Sequence, residues 1–138
     1  MDKVRERIKK YKSIKADIVN IEIRLQELEE ELLGITGISQ GERISKTYNI
    51  VSGVEVQAEK YIKEKEKLIK DKNKLERELK RIDNAMTILN EDEKDIIKMI
   101  LIDQVKYAVA QVKYDITYGR VKQKEAEAVK KMSKYLRL

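Results

Sequence analysis

Over the first 33 positions, apolar residues recur on one helical stripe. Val4, Tyr11, Ile14, Ile18, Ile21, Leu25, Leu28 and Leu32 follow alternating steps of three and four after one step of seven. That is a single heptad seam and predicts an amphipathic helix over about 3–33. Arg7 stands at the skipped position, where its stem can lie along the stripe while its charge stays in water. Asp2 is placed to cap the start of this helix, and Gly34 to end it.

The periodicity stops in "GITGISQGERISKTYNIVSG", residues 34–53, which holds four of the five glycines and predicts a loop. Its length exceeds an ordinary helix–helix connection. At its end Ser52 and Glu55 have capping-box spacing, and Val51 with Val56 have that of a hydrophobic staple. A second long helix is predicted over about 53–89. Its seam is Val54, Ala58, Tyr61, Lys65, Leu68, Lys72, Leu75, Leu79, Ile82, Met86 and Leu89. Lys65 and Lys72 interrupt the apolar line, and lysine at such positions helps set register or oligomer state. Two readings stay open: an antiparallel hairpin within one chain, and a homodimer through the coiled coil, parallel and built on the second helix.

A third segment opens at "NEDEKDII", where Asn90 and Glu93 form a second capping signature. The helix expected from about 91 to Ile102 carries Ile96, Ile97, Met99, Ile100 and Leu101, apolar on more than one face, as in a helix buried on most sides. Two further short helices follow. Asp115 marks the break between them, and Thr117 is placed as the N-cap of the last. The expected architecture is all-α: a long helical, coiled-coil-like hairpin over 1–89, then a three-helix domain over 90–138.

Composition narrows the chemistry. Charged residues make up 41% of the 138 residues, and Pro, Trp, Phe, His and Cys are all absent. A Lys-, Glu-, Ile- and Leu-rich alphabet of this kind belongs to long helices. Without Cys or His there are no disulfides, thiolate or imidazole metal sites, or histidine acid–base pairs. Acidic and basic side chains alternate along helix faces, where i,i+4 pairing accounts for them. No phosphate-cradling glycine loop occurs. Neither an enzyme nor a cofactor is expected. No run of 18 apolar residues is present, and "MDKVRERIKK" lacks the apolar core of a signal peptide, so no membrane partner and a cytoplasmic location are expected.

The net charge of +6 is localised. Residues 104–138 hold nine basic and three acidic side chains; the other 103 residues hold 22 of each. A local basic excess is an electrostatic footprint for a polyanion. Segment three also has the layout of a helix-turn-helix, with a buried helix, a short one, a tight turn and a basic last helix. In that layout the last helix enters the DNA major groove by its N-terminal residues while the others brace it. Along it, Val121, Ala128, Val129 and Met132 can face the core, leaving Tyr118, Arg120, Lys122, Gln123 and Lys124 outward. Arg and Lys suit guanine edges or phosphates, and Gln suits adenine. A helix start capped by Thr117 attracts a phosphate, and Gly119 permits close approach of a backbone.

"RVKQKEAEAVKKM", residues 120–132, resembles the recognition helix of sigma factor region four, whose pattern runs R-V-R-Q-I-E-A-x-A-L-x-K-L. Arg120, Val121, Gln123, Glu125, Ala126, Ala128 and Lys131 are identical to it. Upstream, "LNEDEKDIIKM" resembles that family's L-x-E-x-E-R-x-I-I-x-L opening, and the two matches register without a gap over 89–136. With "IDNAMTILNEDEKDII" at the junction, the chain resembles the sigma-like and ArpU/RinA-type late transcriptional regulators of Gram-positive phages and prophages. It departs from the pattern at Ala110-Gln111, at Asp115 in place of a turn glycine, at Gly119 and at Lys124.

The resemblance implies double-stranded DNA as a partner, bacterial RNA polymerase as a second, and a nucleoid-associated location in a bacterial host. It implies groove contacts from Tyr118, Lys122 and Gln123. Phosphate or partner contacts would come from Arg120, Lys124, Lys130 and Lys131. Full sigma activity is not expected, because no segment carries the aromatic residues that melt DNA. Two alternatives stand beside this reading: a small-terminase-like DNA-packaging subunit working as a ring, and a coiled-coil adaptor whose basic end binds an acidic protein.

Overall fold

The computed structural model of the chain describes residues 2–42 and 47–136. Among these, every regular element is helical: α1 (Asp2–Lys9), α2 (Tyr11–Glu42), α3 (Thr47–Thr87), α4 (Glu91–Ile97), a π-helical turn (Lys98–Ile102), α5 (Tyr107–Tyr114) and α6 (Tyr118–Leu136). The all-α class expected from the sequence is the one observed. No described helix is long and apolar enough to cross a membrane.

The chain divides into two compact units, residues 1–16 with 75–138, and residues 17–74. The first holds one continuous core. Val4 and Ile8 of α1 and Ile82, Ala85 and Leu89 at the end of α3 enter it beside Ile96, Ile97, Leu101 and Ala110. Val121, Ala128, Val129, Met132 and Leu136 of α6 complete it. Fully burying one such Ile or Leu stabilises by about 1.5–3 kcal/mol. This boundary differs from the one expected at residue 90. A domain of about 60 residues buries only roughly 60% of its unfolded surface, so a unit of the last 49 residues gains from apolar cover. α1 and the last turns of α3 supply that cover.

The second unit comprises residues 17–74 of α2 and α3. Ile18 and Leu28 are buried in it, and Ile21, Leu25, Leu32, Tyr61 and Leu68 are half-buried. Arg24 donates to both carboxylate oxygens of Glu64, at 3.1 and 3.4 Å, and meets Glu31 at 3.4 Å. On so exposed a surface these ion pairs are screened by water and weigh little beside the apolar seam.

Several helix limits differ from those the pattern predicts. The first helix is divided at Lys10, whose N–H donates to Arg7 O at 3.3 Å in an i→i−3 turn. The true seam there is Val4, Ile8, Tyr11 and Ile14, with Ile8 fully buried. Two successive steps of three demand local overwinding, which a tightened turn provides. Arg7 is not left in water: its guanidinium donates to both oxygens of Glu78 at 2.8 and 2.9 Å. Asp2 is already the first residue of α1 rather than its cap.

Gly34 does not end α2, which continues to Glu42, and α3 begins at Thr47. Of the loop expected over 34–53, only residues 43–46 fall between helices, and these lie outside the described residues. A glycine costs about 1 kcal/mol in a helix interior, yet it keeps the backbone N–H that a proline would remove. An established helix can therefore run through it. Ser52 and Glu55 consequently lie inside α3, where backbone N–H groups already have intrahelical partners and a capping box has nothing to satisfy. Val56 of the expected staple is half exposed; the side chains of Val51 and Ser52 lie outside the described residues.

The start at Asn90 is as expected. Glu93 N–H donates to Asn90 Oδ1 at 2.8 Å and Asn90 N–H to Glu93 Oε1 at 3.2 Å. The α-helix gives way after Ile97, earlier than expected, to the π-helical turn, in which Asp103 N–H donates to Lys98 O at 2.7 Å. Ile100, Leu101 and Ile102 are all buried in this turn, and three consecutive apolar residues are better inserted together by a wider turn than by a regular one.

Candidate nucleic-acid interface

The turn between α5 and α6 is built by Asp115. Its φ of 51° and ψ of 51° are left-handed, and its N–H donates to Gln111 O. This is the geometry glycine most often supplies at a helix C-terminus, and Asp is among the few other residues that tolerate it. Ile116 N–H donates to the same carbonyl at 3.2 Å. Thr117 then caps α6, its Oγ1 accepting from Arg120 N–H at 3.2 Å. The departure from the glycine pattern at position 115 therefore preserves the turn.

On α6 the apolar stripe expected from the sequence is the one buried, since Val121, Ala128, Val129 and Met132 are all fully enclosed. Thr117, Tyr118, Gly119, Arg120, Lys122, Gln123, Lys130 and Lys131 are exposed, and Lys124 is half-buried. A Cβ at Gly119 would meet nothing within 4 Å, so the backbone there is open to close approach.

Four of these residues fall into two groups. In one, the rings of Tyr118 and Tyr107 meet edge to face at 5.2 Å, and Lys122 Nζ lies 5.2 Å from the Tyr118 ring and 5.7 Å from that of Tyr107. Cation–π contacts of this kind are worth about 0.5–1 kcal/mol at an exposed site and hold the ammonium at the surface. Tyr118, 47% exposed, thus packs on a neighbour while staying open to solvent. In the other group, Arg120 donates to Gln123 Oε1 at 3.0 Å and Gln123 Nε2 to Glu127 at 3.4 Å. Lys131 stands apart from both, its Nζ donating to Glu93 Oε1 at 2.9 Å.

Beneath the first group lies a buried polar chain that the sequence reading missed. Glu125 is only 1% exposed and accepts from the Tyr107 hydroxyl at 2.6 Å. Arg5 Nη1 faces its other oxygen at 3.7 Å, too long for a hydrogen bond. Burial, then the hydrogen bond to Glu125, pushes the Tyr107 phenol up to about 12. Arg5 Nε is buried with no hydrogen-bond partner, which costs about 1–3 kcal/mol if uncompensated. One signal was present in the sequence: Glu125 falls four residues after Val121 and four before Val129, on the core stripe. Arg5 and Tyr107 carried none, because their meeting depends on how α1 and α5 pack.

A second tether joins α4 to α5. Asp95 accepts from Lys113 Nζ at 2.5 Å and from the Tyr114 hydroxyl. The bonds from Lys113 and Tyr114 hold the Asp95 carboxyl below its usual range. Compared with family models, curated proteins and solved structures, the chain matches none.

Proposed function

We propose that the protein is a sequence-specific DNA-binding regulator of transcription, of the phage or prophage late-gene activator type, acting with bacterial RNA polymerase. In this reading α4, α5 and α6 form a helix-turn-helix and α6 is the recognition helix. The earlier helices pair within one chain, a reading supported by the Arg7–Glu78 contact in the first unit and, separately, by the Arg24–Glu64 contact in the second.

One observation carries the proposal. A left-handed turn at Asp115 leads into a Thr117-capped helix whose first turns leave Tyr118, Gly119, Arg120, Lys122 and Gln123 exposed. The buried stripe on its other side braces it against α4 and α5. Lys122, held over two rings, and Gln123 serve as groove contacts. Arg120, Lys124 and Lys130 are phosphate contacts, and Lys131 becomes one by leaving Glu93.

The test is a pull-down of genomic fragments at physiological salt, comparing wild type with Lys122→Ala/Gln123→Ala. Wild type enriches one or a few promoter regions and the double variant loses that preference with its helical circular dichroism intact. Affinity falls with salt by roughly one power per neutralised phosphate. Equal enrichment by both proteins would sink the proposal. Uniform fragment binding by an octamer or larger ring would point to packaging, and absence of DNA binding at low salt to an adaptor.

A further inference from the structure

A cavity of about 200 Å³ lies in the first unit, lined by Arg5 and Lys9 of α1, Leu101 of the π-helical turn, Gln104, Tyr107 and Glu125. It does not overlap the exposed face of α6. Four observations converge on it. Arg5 Nε is buried and unpartnered, although an arginine fork is built to pair with an oxyanion. The nearest carboxylate leaves it without a hydrogen bond: Glu125 accepts from Tyr107 and stands 3.7 Å from Arg5 Nη1. Gln104 is held at φ 54°, a strained conformation for a residue with a side chain. A π-helical turn, a feature frequent at functional sites, ends two residues before Gln104.

We propose that this cavity binds a small oxyanion, a carboxylate or phosphate group, held by the Arg5 guanidinium with Lys9 as the second cation. Charge favours an anion: Arg5 and Lys9 face one carboxylate, Glu125, leaving a net positive lining. Lys9 is only loosely engaged elsewhere, 3.9 Å from Glu6. Size limits the ligand. The cavity falls below the roughly 300–1,000 Å³ of pockets for drug-sized molecules, so it suits a free ion or a short acid. Gln104 supplies an amide that can donate to the same anion, and Leu101 closes the apolar side.

The test is a chemical-shift titration of the full ¹⁵N-labelled chain with inorganic phosphate and, separately, acetate, against sodium chloride at matched ionic strength. Saturable shifts are expected at Arg5 Nε–H and Gln104 with an oxyanion and not with chloride. Saturation by phosphate alone or acetate alone names the class of acid. Arg5→Gln weakens binding on the order of tenfold or more, as loss of a charge-assisted hydrogen bond requires, and Lys70→Ala, at an exposed position in the second unit, leaves it unchanged. The proposal is overturned if the shifts do not saturate, if chloride reproduces them, or if they centre on Arg120–Lys124 and survive Arg5→Gln. Should Arg5→Gln lose its helical signal, Lys9→Gln decides: weaker binding supports the site and unchanged binding overturns it.

Discussion

Glu93 carries two loads, and they can be separated by substitution. It completes the capping box with Asn90 and also accepts from Lys131 of α6. Glu93→Gln keeps an oxygen for the Asn90 N–H while removing the charge that Lys131 meets. Lys131 is half exposed, so the ion pair contributes about 0–1 kcal/mol, and Glu93→Gln should lie within that range. Asn90→Ala strips the other half of the box and costs about 1 kcal/mol. Glu93→Ala removes the reciprocal cap, the ion pair and the packing of a buried stem, and so costs more than either, about 2–3 kcal/mol. Urea unfolding followed by circular dichroism reads these as midpoint shifts, with slopes of roughly 1–3 kcal/mol per molar. Glu93→Gln costing as much as Glu93→Ala would refute the assignment of the helix start to the cap. An Asn90→Ala variant as stable as wild type would do the same.

Two further substitutions probe the braces of α6. Asp115→Gly relieves the left-handed strain at φ 51°. It should stabilise by up to about 1 kcal/mol, offset in part by the freedom glycine adds to the unfolded chain. A lower thermal midpoint would show that the Asp115 side chain contributes a contact of its own. In an alkaline absorbance titration of tyrosinate, the Tyr107 phenol ionises at about 12. Because its folded value is raised, the stabilisation is complete below about 10, the ordinary tyrosine value. It is then lost as pH climbs to about 12. Tyr107→Phe removes one of the phenols expected near 12 among the described residues, Tyr11 being another; an unchanged titration near 12 would contradict the Tyr107–Glu125 bond.

What the chain determined by itself is local. The Asn90–Glu93 box, the Thr117 cap, the break at Asp115 and the buried stripe of α6 were all legible, because each depends on residues within about four positions of one another. Helix limits near glycine were not legible. Gly34 and Ser52 carry stop and start signals worth about 1 kcal/mol each, and such weak signals yield when the helix continues through them. The reach of the compact unit to residues before 90 was not legible for the opposite reason: its core includes Ile8 and Ile82, which lie far along the chain from α6. Tertiary packing alone decided that Arg5 meets Glu125, that Tyr107 lies under Tyr118 and Lys122, and that Lys131 reaches Glu93. Periodicity states which face of a helix is apolar, but not which distant residue will be pressed against its polar edge. The exposed basic face of α6 could therefore be read from the sequence, whereas the buried charges behind it came into view only once α1, α5 and α6 were packed together.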